Sequence, residues 1–274
     1  MVRWGEEYNK LHPNVKIDVS AGGAGKGMTD ALGGLADIGM VSREIDPSEV
    51  QKGAFAIKVV KDAVVPTMNK NNPAAADVLI QGLTQKQFKD IFVSGNLTLW
   101  GAAVSKPSIT NKITVYVRSD SCGAADVWGA YLGVKQDGLK GVGVSGDPGI
   151  AEAVSSDVNG IGFNNINFAF DSNTSLPLGN LAIIPLDKNG NGKIDADENF
   201  YSNKEDVLAA IADGRYPSPP SRELYLVTKD KFSGETKEFA KWILTDGQKY
   251  VVEVGYVPLP QDVIQAQLAK IDAA

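Results

Sequence analysis

The chain has 274 residues, 43% of them hydrophobic, which is enough apolar material for a sizeable core and enough length for two lobes. Its formal net charge of −6 argues against a nucleic-acid binder, which needs a basic surface to displace counterions, and no apolar run approaches the ~20 residues of a membrane-spanning helix. A single cysteine excludes an internal disulfide, and a single histidine leaves any His-dependent catalytic or zinc site resting on His12 alone.

Met1 leads directly into Val2, Arg3 and Trp4 without a signal-peptide pattern, so the leader of an exported protein is expected to be absent from this sequence. Trp4, Tyr8 and Leu11 recur at helical spacing until Pro13 stops the pattern, and His12 reads as a polar residue at the helix end. VKIDVSA, residues 15–21, alternates like a strand. It runs into GGAGKGMTDALGGL, where Gly22, Gly23, Gly25 and Gly27 precede a short helix through Met28, Ala31 and Leu32. Such a loop lets backbone amides close on a ligand at a helix start. It is not a P-loop, because Lys26 is followed by Gly27, and it misses the spacing of the dinucleotide fingerprint. ADIGMVSREI, residues 36–45, predicts a short strand ending on Ser42 and Arg43.

FAIKVVKDAVVPTMN, residues 55–69, predicts two extended segments leading into NKNNP. Helical patterns follow at 74–81 and 84–92, the second opened by Thr84 with Gln87 three residues on, a capping box. In ITVYVRSDSCGAADVWGAYLG, residues 113–133, Ile113, Val115 and Val117 alternate with Thr114, Tyr116 and Arg118 as in a strand with one covered face. A helix follows, with Val127, Trp128, Tyr131 and Leu132 on one stripe. Arg118 falls at the strand's end and Ser121, Cys122 and Gly123 at the helix's first turn, the outline of an anion site. An ordinary capped helix with Arg118 paired to Asp120 fits the same residues.

Helix, turn and strand are expected over 148–165, a buried strand at 181–186, a helix at 204–212 and a proline-bearing connection at 218–222. ELYLVTK then predicts a strand, and 233–250 a helix with Phe239, Trp242 and Ile243 on its apolar side. Alternating strands and helices imply an α/β protein whose ligand lies beyond the strands' C-terminal ends. The Pro/Asn-rich connections near 69–73 and 218–222 predict one lobe from 1–68 plus 223–274 and an inserted lobe at 69–222, with two crossings acting as a hinge.

DKNGNGKIDADE, residues 187–198, matches the calcium-loop pattern at every specified position: Asp187, Asn189, Asn191, Gly192 and Glu198. Side chains of the first three, the backbone carbonyl of Lys193, Asp195 directly or through water, and a bidentate Glu198 would supply the oxygens of a structural Ca2+ site; no organic cofactor is expected. A polar Asn-Gly turn without metal is the alternative. Cys122 invites a nucleophilic reading, since a helix start beside an arginine lowers a thiol's pKa, but no base accompanies it.

RWGEEYNKLHPNVKIDVSAGGAGKG, ADIGMVSREI, VYVRSDSCGAADVWGAYL and GIGFNNINFAFD, taken in succession over nearly the whole chain, resemble the phosphate-binding proteins of ABC phosphate importers. The resemblance implies a two-lobed, periplasmic-type solute-binding protein, each lobe a mixed sheet flanked by helices. It implies that oxyanion contacts fall on Ser20, Gly22, Gly23, Ser42, Arg43, Arg118, Asp120, Cys122, Gly123 and Ala124. Ser42 stands where family members carry an aspartate that accepts from protonated phosphate, and Cys122 and Ala124 replace two hydroxyl donors. The family also begins with a strand and ligand-touching turn ahead of the Trp-bearing helix in which this sequence starts, so weakened binding is an expectation. The function so implied is capture of phosphate outside the cytoplasm, as a monomer without enzymatic activity, for delivery to an ABC permease. The alternatives are an oxyanion sensor or scavenger, or a binder of tungstate, molybdate or sulfate.

Overall fold

The computed structural model describes residues 1–273. In chain order the elements are α1 (Val2–Leu11), α2 (Gly23–Gly33), β1 (Gly39–Val41), α3 (Pro47–Gln51), β2 (Ala54–Asn69), α4 (Ala75–Gln81), α5 (Gln85–Lys89) and α6 (Trp100–Ala103). They continue with β3 (Thr114–Arg118), α7 (Gly123–Tyr131), β4 (Val142–Val144), α8 (Gly146–Ser156), β5 (Gly160–Asn165), α9 (Ile166–Ala169) and β6 (Leu181–Ile183). Last come α10 (Lys204–Ala212), β7 (Ser221–Lys229), α11 (Gly234–Leu244) and α12 (Gln261–Asp272). The chain folds as two compact units: Met1–Asp62 with the segment from Arg222 onward, and Ala63–Ser221. The first boundary lies inside β2 and not after residue 68. That strand runs unbroken where two segments were expected, because Pro66 keeps an extended backbone and its carbonyl still accepts from Ile184 N–H at 2.9 Å.

In unit 1, β1 lies antiparallel to β7 with Met40 opposite Leu226, and β7 neighbours β2. The core here joins Trp4 and Tyr8 of α1 to Phe239, Trp242 and Ile243 of α11 and Ile264 and Ile271 of α12. Tyr8 stacks on His12 with ring centroids 4.2 Å apart, giving the sole histidine a structural place at the end of α1. Leu11 is 63% exposed, so the apolar stripe of α1 is shorter than its spacing implied. Residues 15–22 form no strand. Val15 and Ile17 pack on the core while Val19 is exposed, so coverage accounts for only the first part of the alternation, and among the described residues no neighbouring strand pairs with this stretch. The helix expected over 233–250 stops at Leu244 and resumes as a 3-10 turn over Asp246–Tyr250, and α12 was not anticipated.

In unit 2, the second half of β2 runs antiparallel to both β5 and β6, while β5 pairs parallel with β3 and β3 parallel with β4. Thr84 and Gln87 form the expected capping box, and α5 passes into a π-helical turn over Asp90–Ser94. Trp128 of α7 is fully buried, stacked on Phe163 of β5 at 5.8 Å and met edge-on by Phe88 and Phe92 at 5.2 and 5.6 Å. This aromatic cluster fixes α7 against the sheet and so sets where the helix begins relative to the end of β3.

Candidate functional site

Arg118 closes β3, and the chain turns through Ser119–Ser121 into Cys122, the N-cap of α7. The Arg118 side chain is only 7% exposed. Its Nε and Nη2 donate to Asp120 Oδ1 and Oδ2 at 2.9 and 2.5 Å, and Nη1 donates to Asp147 Oδ2 at 2.7 Å. The ordinary pairing of Arg118 with Asp120 is therefore present, together with the second carboxylate. A guanidinium has five N–H groups. Since these bonds engage three of them, two remain for a ligand.

Burial works to lower the Arg118 pKa, but its bond to Asp120 and the charges of Asp147 and Asp120 raise it overall, so the group is a permanent cation. Arg118 in turn lowers the Asp120 carboxyl to about 2, helped by the N–H of Gly146, which donates at 3.0 Å. Asp147 sits in the first turn of α8 and accepts from both N and Nδ2 of Asn165 at 3.0 Å. Gln136 bridges the turn: its Nε2 donates to Asp120 O at 2.7 Å and its Oε1 accepts from Cys122 N at 3.1 Å. Neither Asp147 nor Gln136 was expected at the site. An aspartate opening a helix was the one visible signal for Asp147, and Gln136 offered none.

The first turn of α7 leaves the N–H groups of Gly123 and Ala124 without a carbonyl partner inside the helix. The charge of Arg118 reaches the Cys122 thiol at the cap of the same helix. Burial nevertheless pushes that thiol up and outweighs Arg118, in keeping with Cys122 as a small residue at the turn and not a nucleophile.

Unit 1 holds the other expected contacts. Ser20 is exposed in irregular chain, Gly22 caps α2 and Gly23 opens it. The helix lies against β1 with no room for side chains between them, since a Cβ on Gly27 would fall 2.5 Å from Met40 O and one on Gly39 would collide with the Gly27 carbonyl. Ser42 follows β1 directly. Arg43 has a structural partner, donating to Glu49 at 2.7 and 3.0 Å and to Glu44 O at 2.9 Å, while Glu49 accepts from Asp46 N at the cap of α3. The structure thus groups Arg118, Asp120, Cys122, Gly123 and Ala124 in one unit, and Ser20, Gly22, Gly23, Ser42 and Arg43 in the other.

Within unit 2 the loop Asp187–Glu198 is pinned to the α4–α5 junction by Ile194 N donating to Ile80 O at 2.9 Å and by the bridge between Leu83 and Leu186. Asp187 and Glu198 are buried at its two ends, while Asn189, Asn191 and Lys193 are exposed and Asp195 is half-buried.

The α/β unit thus carries a buried arginine at a strand end with a helix starting just beyond it in the chain. Residues 1–247 match the PBP superfamily domain, and the chain belongs to that family. Among its relatives, the phosphate-binding protein PstS of Pseudomonas aeruginosa is 28% identical over 99% of this chain and 83% of its own length. PstS of Methanocaldococcus jannaschii is 27% identical over 98% of this chain and 82% of its own length. Among solved structures, a phosphate ABC transporter substrate-binding protein with bound phosphate from Clostridium perfringens superposes with a TM-score of 0.72 at 24% identity, covering 94% of each chain. An ABC-type phosphate transport receptor from Vibrio cholerae does so at 0.70 and 24%, covering 95% of each. These structures establish a shared fold.

Proposed function

We propose that this protein captures inorganic phosphate outside the cytoplasm and delivers it to an ABC permease. One observation carries the reading: Arg118, at the end of β3, is a buried cation held by two aspartates through three of its five N–H groups, and α7 begins at Gly123 just beyond it in the chain. With Asp120 and Asp147 each contributing −1, the arginine's immediate surroundings are net negative. Affinity for the anion therefore rests on hydrogen bonds of fixed direction, since the carboxylates hold the guanidinium in place before any ligand arrives. The names carried by the relatives support phosphate as the ligand, and those of the solved structures, an ABC transporter substrate-binding protein and an ABC-type transport receptor, support delivery to an ABC importer. Binding without catalysis suits a site whose one thiol is buried and pushed up.

Calorimetric titration of phosphate, with sulfate, molybdate and tungstate alongside, tests the reading. One site preferring phosphate, lost in Arg118→Met, is the expected result. Absence of phosphate binding, or equal affinity in the variant, would overturn it.

A further inference from the structure

We propose that the loop Asp187–Glu198 is a calcium site, a use separate from oxyanion capture. The seven positions that such a twelve-residue loop specifies carry what it needs: side-chain oxygens at Asp187, Asn189 and Asn191, a glycine at Gly192, a backbone carbonyl at Lys193, and carboxylates at Asp195 and Glu198. The fold meets the same demand. Gly192 has φ +77 with nothing within 4 Å of a would-be Cβ, so the position asks for a left-handed backbone and not for space.

The independent observation concerns charge. Asp187 and Glu198 are 4% and 1% exposed, and among the described residues no lysine or arginine pairs with either carboxylate. Lys193 pairs with Asp195 at 2.8 Å and Lys188 approaches Asp197 at 4.0 Å, so the loop's own lysines reach neither of the two buried carboxylates. Two carboxylates withdrawn from water with only backbone N–H donors for company are a costly arrangement, and a divalent cation between them balances both.

The oxygens have room for it. Asp187 Oδ1 and Oδ2 accept one N–H each, from Gly190 at 2.7 Å and Gly192 at 2.9 Å, and the Oδ1 atoms of Asn189 and Asn191 accept one each at 3.0 Å. Every one of these atoms keeps a second lone pair. Glu198 accepts from Lys188 N at 3.0 Å on Oε1, which draws position 12 back to position 1, and from Asp195 N at 3.4 Å on Oε2. Among the described residues no three Asp, Glu, His or Cys side chains converge on one point, and Asp195 accepts from Lys193, Asn189 and Asn191, so the direct charge on the ion is that of Asp187 and Glu198 and Asp195 acts through water. An all-oxygen set of this size suits calcium, and the absence of nitrogen and sulfur donors disfavours zinc or copper.

The test uses the full chain stripped with chelator and then titrated with calcium chloride, followed by calorimetry and thermal unfolding. One ion per chain is expected, with Tm raised by about 5–10 °C at a hundredfold excess over Kd and a weaker response to magnesium. Glu198→Gln keeps an acceptor for Lys188 N while removing the charge, and Asn191→Ala alters only an exposed position. Each should weaken calcium binding at least about tenfold. No heat and no Tm shift in the parent chain, equal response to magnesium, or unchanged affinity in both variants would overturn the assignment.

Discussion

Arg118→Met removes the cation that Asp120 and Asp147 share. The cost falls mainly on Asp147, whose side chain is 10% exposed, whereas that of Asp120 is 39% exposed and partly solvated. Leaving one buried carboxylate without its partner costs about 3–5 kcal/mol, and Asp120 adds less than that because water screens it. Urea unfolding of parent and variant measures the loss. Adding Asp147→Asn takes away the stranded charge, so the double variant should be more stable than Arg118→Met alone. A pH series gives a second readout. Arg118 holds Asp120 at about 2, below the ordinary carboxylate value near 3.9, so the stabilisation is complete above that value and disappears as pH falls through about 2. The variant should lack this step. On the ligand side, two charge-assisted hydrogen bonds at about 1.5–3 kcal/mol each correspond to a rise in phosphate Kd of about 10²–10⁴-fold. A variant that unfolds like the parent and binds phosphate equally well would refute both the buried triad and the binding role.

Gly27→Ala should destabilise unit 1 by about 1–3 kcal/mol, because its methyl would fall 2.5 Å from the Met40 carbonyl, while Gly33→Ala in the same helix meets nothing within 4 Å and should be neutral or slightly stabilising. Thermal unfolding of the pair separates close approach from helix propensity. Cys122 should alkylate with iodoacetamide at pH 8 at least about tenfold more slowly than free cysteine, since burial raises its thiol; a rate matching or exceeding free cysteine would contradict that. Arg222→Met breaks the buried ion pair between Arg222 and Asp62, whose Nη2 and Oδ2 stand 3.0 Å apart, and should cost about 3–5 kcal/mol in chemical denaturation, partly recovered by adding Asp62→Asn.

The features legible in the sequence were those written by local chemistry. The helix at 204–212 appears as α10 with the same limits, because its Asn203 cap and its apolar positions all lie within one short window. Arg118 at the end of β3 and Cys122 at the start of α7 could likewise be read from a change of period, and the pairing of Arg118 with Asp120 lies only two residues away. The stretch 15–21 alternates without being a strand. Alternation records which side chains are covered, not whether a neighbouring backbone offers hydrogen bonds, and Val15 and Ile17 are covered without a ladder.

The sequence by itself determined the periodic elements, the glycine-rich and charged turns at their ends, and the twelve-residue acidic loop, because each depends on residues within a few positions of one another. Only the tertiary structure decided that Asp147 joins Arg118 from 29 residues away, that Gln136 ties Asp120 to the helix start, and that Cys122 is too buried to ionise readily. Charge pairing and burial are set by packing between distant segments, and no local pattern encodes which carboxylate will face a given arginine.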